Sequence, residues 1–488
     1  MIQDNSVLLH DAGLGQWMLY QNPAEVLAAR HTEDVPVILR EVERRVNEEG
    51  LHAAGFVAYE AAPAFDPALA VIPGSDFPLA WFGLYAQAEP VSAPSLVKPP
   101  PEIDWSPSIT EDQYNRGFNQ VKDHIRAGQT YQVNYSYRLR APFSGDPFDL
   151  FAAMIRAQGS GYGAFLSAGR WAICSASPEL FFTLGNGVLL SRPMKGTSPR
   201  GLTLEEDRRR ADQLVTSGKD RAENLMIVDM VRHDMGQVAR MGSVRVPRLF
   251  EVEKYPTLWQ MTSSVECRTG SGLVDILESL FPAASITGAP KVRTMEIIAS
   301  LEDSPRRIYT GAIGFLSPRG RAQFNVAIRT ALIDRTAHTA EYGVGGGIVW
   351  DSRPDSELRE CRTKARVLAR PAPEFDLLET LLWTPEEGYA FLDEHLERLA
   401  ASAEYFSRRV NPGQLRGQLK AFAQGLDKRP HRVRLLMPER GPVKLEAKPL
   451  TPLPEPYRLA LARRPAGSGG RFLYHKTTCR EVYERALA

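Results

Sequence analysis

The sequence predicts a mixed α/β (α+β) fold built on large, partly antiparallel sheets. Three observations predict it. Stretches with strand period come in clusters, helical stretches fall between the clusters, and two proline-rich breaks divide the chain. A doubly wound sheet would need regular alternation of strand and helix, and the chain does not alternate that way.

The elements follow in order. Residues 1–88 read as a small α/β layer: "VILREVERRVNEEG" (37–50) is a helix ended by Gly50, and "AAGFVAYE" (53–60) is a mostly buried strand. Residues 88–105, "AEPVSAPSLVKPPPEIDW", form an extended surface connection, because proline removes donors and stiffens the chain. Residues 111–127 repeat apolar positions at helical spacing and stop at Gly128; "TYQVNYSYRLRA" (130–141) then alternates as a strand. Further strands are expected at 163–168, 171–176, 179–184 and 187–192, and later in "IYTGAIGFLS", "AQFNVAIRTALI" and "YGVGGGIVW". Helices are expected at 203–216, 220–235, 271–280, 290–302 and 355–369. "LLSRPMKGTSPR" (189–200) sets Lys195 in a bend beside a glycine. A second break falls at 369–376. The expected domains are 1–370 (an N-terminal portion 1–88, a connection 89–104 and a core 105–370) and 375–488.

With 488 residues the chain can bury a sizeable core. It is 43% hydrophobic and 24% charged, with a formal net charge of +1, which excludes a basic nucleic-acid groove or an acidic disordered tail as the organising feature. "EEDRRR" (205–210) reads as a solvated helix face. Cys174, Cys267, Cys361 and Cys479 lie far apart with no CxxC, which fits a reducing cytoplasm and excludes a thiolate zinc site. The N-terminus lacks signal-peptide form, and no apolar run is long enough for a membrane span.

Two acidic helices carry the first chemical signal. "KDRAENLMIVDMVRHDMG" (219–236) holds Glu223, Asp229 and Asp234 among apolar residues, and "DSRPDSELRECRTKA" (351–365) puts Glu357 and Glu360 on one helix face. Carboxylates without sulfur or imidazole partners suit a hard divalent ion such as Mg²⁺, although spacing alone more often means an ordinary helix surface. "SITGAPK" and "GVGGGIVWDS" let backbone amides approach an anion, yet neither matches a Walker A loop or a dinucleotide fingerprint. Arg329, among apolar neighbours, needs either a buried acid or a ligand carboxylate. Together these features suit a small, multiply anionic substrate, a metal ion and a lysine neutral enough to attack or to take a proton.

Ten short stretches in order make the chain resemble the chorismate-utilising enzymes over nearly all of residues 45–368. They are "FVAYEAAPAFDP", "GQTYQVNYSYRLRAPF", "ASPELFF", "RPMKGTSPR", "KDRAENLMIVDMVRHDMG", "FPAASITGAPKVRTMEII", "IYTGAIGF", "FNVAIRTAL", "GVGGGIVWDS" and "SELRECRTKA". The resemblance implies face-to-face sheets with helices outside. It also implies Mg²⁺ ligands at Glu223 and Glu360, with Glu357 on the metal or near it through water. Arg329, Tyr309 and the amides at Gly345 and Gly346 are implied to hold the enolpyruvyl carboxylate of chorismate. Thr287 is implied to lie beside the substrate, and Glu179 to be the acid/base carboxylate near the ring.

In that family a lysine at the position of Lys195 goes with amination at C4, whereas anthranilate-forming members usually carry alanine. Gln132 stands where isochorismate- and salicylate-forming members have a lysine that activates water, which argues against a water nucleophile. Gln260 replaces a histidine near the departing C4 hydroxyl and can donate a hydrogen bond but not act as a general acid. No glutaminase-like nucleophile elbow is present, so the resemblance implies a separate glutamine amidotransferase subunit or free ammonia. Anthranilate formation and a non-catalytic scaffold with the same fold stay open as alternatives.

Residues 375–406 and 474–488 resemble class IV aminotransferases, the family that includes aminodeoxychorismate lyase. There Arg398 matches a contact to the phosphate of pyridoxal phosphate (PLP), and Lys476 matches the Schiff-base lysine. Because relatives continue well beyond this point, the expectation is a partial α/β domain with an incomplete PLP site and no working lyase.

Overall fold

The computed structural model describes residues 3–74, 76–95, 103–159, 161–368, 374–451, 470–481 and 483–484. The connection expected at 89–104 and the break at 369–376 thus lie partly outside the described residues. The chain divides into two compact units, Met1–Thr197 with Leu214–Pro371, and Ser198–Gln213 with Ala372–Ala488. The stretch 198–213, expected within the first domain, therefore groups with the second. Side-chain contacts inside that unit give the reason: Arg200 grips Asp207 with two bonds of 2.7 and 2.8 Å and lies 4.5 Å over the ring of Tyr405, whose hydroxyl donates to the Gly201 carbonyl at 2.7 Å.

The first unit stacks two large antiparallel sheets. One runs Gly288–Ala289, Gln132–Pro142, Thr339–Ile348, Thr330–Asp334, Trp171–Ser175, Ala164–Ala168, Ser6–Asp11, Gln16–Tyr20 and Glu89–Val91. The other runs Met194–Pro199, Leu258–Arg268, Val188–Arg192, Leu180–Gly185, Arg321–Val326, Ala312–Ser317, His52–Val57, Ala80–Tyr85 and Glu25–Ala29. Period-two alternation builds the layers. In His52–Val57, Ala54 and Phe56 enter the core between the sheets, while Ala53 and Val57 face the outer helices. In Trp171–Ser175, Trp171 and Ile173 face that shared core, while Ala172 and Cys174 face the helices on the other side. The arrangement is helix, sheet, sheet, helix.

The helices follow their sequence signals. Asp34–Glu49 buries Val35, Leu39, Val42 and Val46 on one face, about 1.5–3 kcal/mol for each such side chain. Gly50 ends it at φ 71°. Glu111–Arg126 starts at a reciprocal cap, where Thr110 accepts from the Gln113 amide at 3.2 Å and the Gln113 side chain accepts from the Thr110 amide at 2.7 Å.

Two expectations change. Lys195 is not in a bend but in the strand Met194–Pro199, at the edge of the second sheet. "AQFNVAIRTALI" is not one strand: Arg321–Val326 belongs to one sheet and Thr330–Asp334 to the other, and Arg329 turns the chain between them at φ 51°. A left-handed turn at a non-glycine residue costs energy, so packing has to hold it there.

The second unit has the sheet Gly388–Tyr389, Leu377–Thr384, His431–Met437 and Lys444–Pro449, with the helices Leu392–Tyr405 and Pro412–Ala423. Leu396, Leu399, Leu415 and Leu419 close its core against Leu377, Leu381, Val433 and Leu435. Among the described residues, no helix is long and apolar enough to cross a membrane.

Candidate active site

A cavity of about 280 Å³ in the first unit lies against the glycine-rich strand Thr339–Ile348 and the strand Met194–Pro199. Lys195, Glu179, Gln260, Arg329, Tyr309 and Gly345 line it, as do Glu223, Glu357 and Glu360. Residues spread over more than 180 positions of sequence thus meet in one place. Two expected residues do not line it. Thr287 is fully buried, with its hydroxyl donating to the Ala283 and Ala284 carbonyls at 3.2 and 3.4 Å, and Ser285 and Ile286 reach the cavity instead. Gly346 faces Glu357: a Cβ there would stand 2.9 Å from the Glu357 Oε2. Asp229 pairs with Arg232 at 2.7 Å and Asp234 with Lys291 at 2.9 Å, both away from the cavity.

Burial lowers the pKa of Lys195, although Glu223, Glu179 and Glu360 pull it back up. Its Nζ lies 3.0 Å from where a Cβ on Gly347 would stand, and the Gln132 amide nitrogen lies 2.8 Å from that same point. Gln132 is fully buried, and neither end of its amide has a hydrogen-bond partner among the described residues. Lysine amine and glutamine amide thus converge beneath a glycine that leaves them room.

Glu179 is 4% exposed, and burial pushes its pKa up to about 7 despite a 2.6 Å hydrogen bond from Ser285 and the nearby charge of Lys195. It is therefore a proton donor near neutrality. Burial of Arg329 lowers its pKa, and its guanidinium reaches the side-chain oxygen of Gln158 with no ion pair to a described carboxylate. That leaves the cation disposed toward a ligand anion. The Tyr309 ring lies against Gly343, where any Cβ would clash, and its hydroxyl is 3.4 Å from the Ser136 hydroxyl.

The three glutamates are all-oxygen donors. Burial raises the pKa of Glu223, and Glu357 raises it further; burial and Glu360 do the same to Glu357. Glu360 goes the other way, held down by Lys364, 2.9 Å away. Carboxylates suit a hard divalent cation by their chemistry, but the spacing of these three does not. No group of three metal-ligating side chains is gathered close enough to hold a metal among the described residues.

Sequence reasoning missed several lining groups. Lys364 bonds Glu360 and donates to the Gly345 carbonyl at 2.9 Å, tying the second acidic helix to the glycine strand. Its signal was present: Glu360 and Lys364 stand four apart on a helix. Lys219 sits 3.7 Å from Glu223 at the same spacing. Behind the wall, Arg306 bonds Glu302 at 2.6 Å, the Asn134 carbonyl at 2.8 Å and the Ile286 carbonyl at 3.1 Å, which holds two lining segments in place. Glu60 accepts from the Arg306 and Arg307 amides at 2.7 and 2.8 Å, and this sets the turn that presents Tyr309. Apart from the four-residue spacing of Glu302 and Arg306, no local pattern marks these contacts.

In the second unit, Arg398 and Lys476 do come together, but around Glu379. Arg398 makes bonds of 2.8 and 2.5 Å to that carboxylate, His395 one of 2.7 Å, and the Lys476 Nζ stands 3.9 Å away. The Glu379 side chain is 2% exposed. As arranged, this cluster does not fit PLP, because the guanidinium fork that a phosphate would occupy already holds a carboxylate.

Fold and cavity define the class first: stacked antiparallel sheets carrying a deep site of lysines, an arginine and carboxylates suited to a small polyanion. Residues 4–370 match the family model for the chorismate binding enzyme, and residues 376–488 match that for amino-transferase class IV. The chain belongs to the chorismate binding enzyme family. It is 42% identical over 269 residues to aminodeoxychorismate synthase component 1 of Salmonella typhimurium, covering 55% of this chain and 59% of that protein. It is 37% identical over 276 residues to anthranilate synthase component 1 of Aquifex aeolicus, covering 56% of this chain and 55% of that one. The match thus spans less than two thirds of either relative's length. Among solved structures, anthranilate synthase component I from Streptococcus pneumoniae superposes with a TM-score of 0.64 at 26% identity, covering 72% of this chain and 92% of that one.

Proposed function

We propose that this chain converts chorismate and ammonia to 4-amino-4-deoxychorismate, a step toward p-aminobenzoate and folate, with ammonia delivered by a separate glutamine amidotransferase subunit in the cytoplasm. The observation that carries this reading is the half-buried Lys195, its amine made more available by burial, at the wall of a cavity built for a polyanion. Its neutral amine attacks C2 of chorismate, both ring double bonds shift by one position, and the C4–O bond breaks. Glu179, protonated near neutrality, gives the departing hydroxyl its proton, so that water leaves. Ammonia then attacks C4, both double bonds shift back, and the C2–N bond breaks to return the lysine as a neutral amine. Arg329 and Tyr309 hold the enolpyruvyl carboxylate, and Lys364 adds positive charge on the glycine-strand side.

Glu223, Glu357 and Glu360 offer the oxygen chemistry with which Mg²⁺ would neutralise the ring carboxylate, but as they stand they are not gathered closely enough to hold it, and no step here runs through a metal. The second unit takes no part in this chemistry, and no step runs through PLP.

Anthranilate synthesis is the second reading, favoured by the likeness to the Streptococcus pneumoniae structure. A single direct attack at C2 would then leave Lys195 a bystander. Incubation with chorismate, Mg²⁺ and excess ammonium at mildly alkaline pH, followed by chromatography and mass spectrometry, separates the two. The expected product is aminodeoxychorismate, lost in Lys195→Ala; anthranilate at an equal rate from both proteins would sink the reading.

A further inference from the structure

We propose that Gln260 is a positioning residue that clamps the strand carrying Lys195, rather than a contact to substrate; this rests on the reading of Lys195 as nucleophile. Gln260 lines the cavity, but both ends of its amide are already used. Its Nε2 donates to the Gly196 carbonyl at 2.8 Å, and its Oε1 accepts from the Thr197 hydroxyl at 3.1 Å. One planar amide thus holds the two residues that directly follow the lysine.

The residue ahead of them is held as well. The Lys195 carbonyl accepts from the Asn224 amide at 3.3 Å, and buried Asn224 is itself fixed by the Ser263 hydroxyl at 2.6 Å. Gly196 makes the clamp necessary. It sits at φ 93°, a conformation with little intrinsic preference for one exact geometry. Space around it is tight: a Cβ there would stand 3.0 Å from the Asp220 Cβ and 3.3 Å from the Met261 Cβ. At the strand edge, paired on one side only and with a glycine beside it, the lysine backbone gains further anchorage from these side-chain bonds to its carbonyls. An amide suits the task because its donor and acceptor point side by side, matching a carbonyl and a hydroxyl on adjacent residues.

The test measures the rate at which chorismate labels Lys195 when ammonia is left out, together with backbone hydrogen exchange at residues 195–197. In Gln260→Leu, labelling at saturating chorismate should slow about 100-fold, the scale of a misplacement near 1 Å, while half-saturation moves less than about twofold. Exchange at 195–197 should quicken. Thr197→Val should slow labelling about tenfold, with Thr197→Ser restoring it; in the Gln260→Leu background the valine should add little, because both changes break one interaction. If Gln260→Leu does not fold, the Thr197 pair carries the test.

A raised half-saturation with an unchanged saturated rate would mean that Gln260 touches substrate, and would overturn the proposal. So would unchanged exchange with normal labelling. If exchange quickens but the unmodified protein never labels at Lys195, the nucleophile reading fails and the clamp stands.

Discussion

At the scale of single residues, two proton positions decide the chemistry. Attack needs Lys195 neutral and Glu179 protonated. The neutral fraction of the lysine grows as pH rises toward its lowered pKa, and the protonated fraction of the glutamate falls as pH rises through about 7. Their product therefore rises with pH while the lysine is still charged and Glu179 still protonated, and falls with pH once the lysine is neutral and Glu179 has ionised. Stopped-flow labelling across pH should trace that rise and fall. In Glu179→Gln the alkaline fall should vanish, because the acid no longer titrates, and the rate should drop about 100-fold or more. A retained alkaline fall would assign the proton to another group. Most of these residues were legible in sequence because short motifs surround them. Asn134 and the reach of Arg306 were not, since Arg306 ties the Asn134 and Ile286 carbonyls, which lie far from it in sequence.

At the scale of elements, the glycine strand Thr339–Ile348 separates packing from function within three residues. A Cβ on Gly345 would stand 2.5 Å from the Tyr135 carbonyl oxygen and 2.8 Å from the Ser136 Cα, backbone that cannot give way. A Cβ on Gly347 would instead meet the ends of two side chains, at 2.8 and 3.0 Å. Gly345→Ala should therefore lose about 1–3 kcal/mol in denaturant melts. Gly347→Ala should melt almost normally yet label at Lys195 at least tenfold more slowly, because the lysine and Gln132 must move. Equal stability losses in both would contradict this division. The sequence marked the glycines as a place where backbone nears an anion, and the strand pairing shows a further reason for them. The crossover at Arg329 was hidden, because β-pattern runs unbroken through "NVAIRTAL" on both sides of the turn.

At the scale of the whole molecule, the two-sheet frame was legible as a class, from clustered strands, while the order of strands was not: pairings such as Ala312–Ser317 with His52–Val57 join segments far apart in sequence. The same holds for the stretch 198–213, whose helical pattern gives no hint that it belongs with the second unit. In that unit the Glu379 carboxylate occupies Arg398, so adding PLP to the full chain and reducing with borohydride should leave Lys476 unlabelled; a pyridoxyl group on Lys476 would reverse that reading. The central claim concerns the other unit: the amine of Lys195 bonds to the substrate ring. Intact-protein and peptide mass spectrometry after chorismate treatment without ammonia tests it most directly. The account predicts an added mass of chorismate less one water on the peptide holding Lys195, discharged on adding ammonium and absent from Lys195→Ala. No adduct, with Lys195→Ala still aminating chorismate at the normal rate, would contradict it.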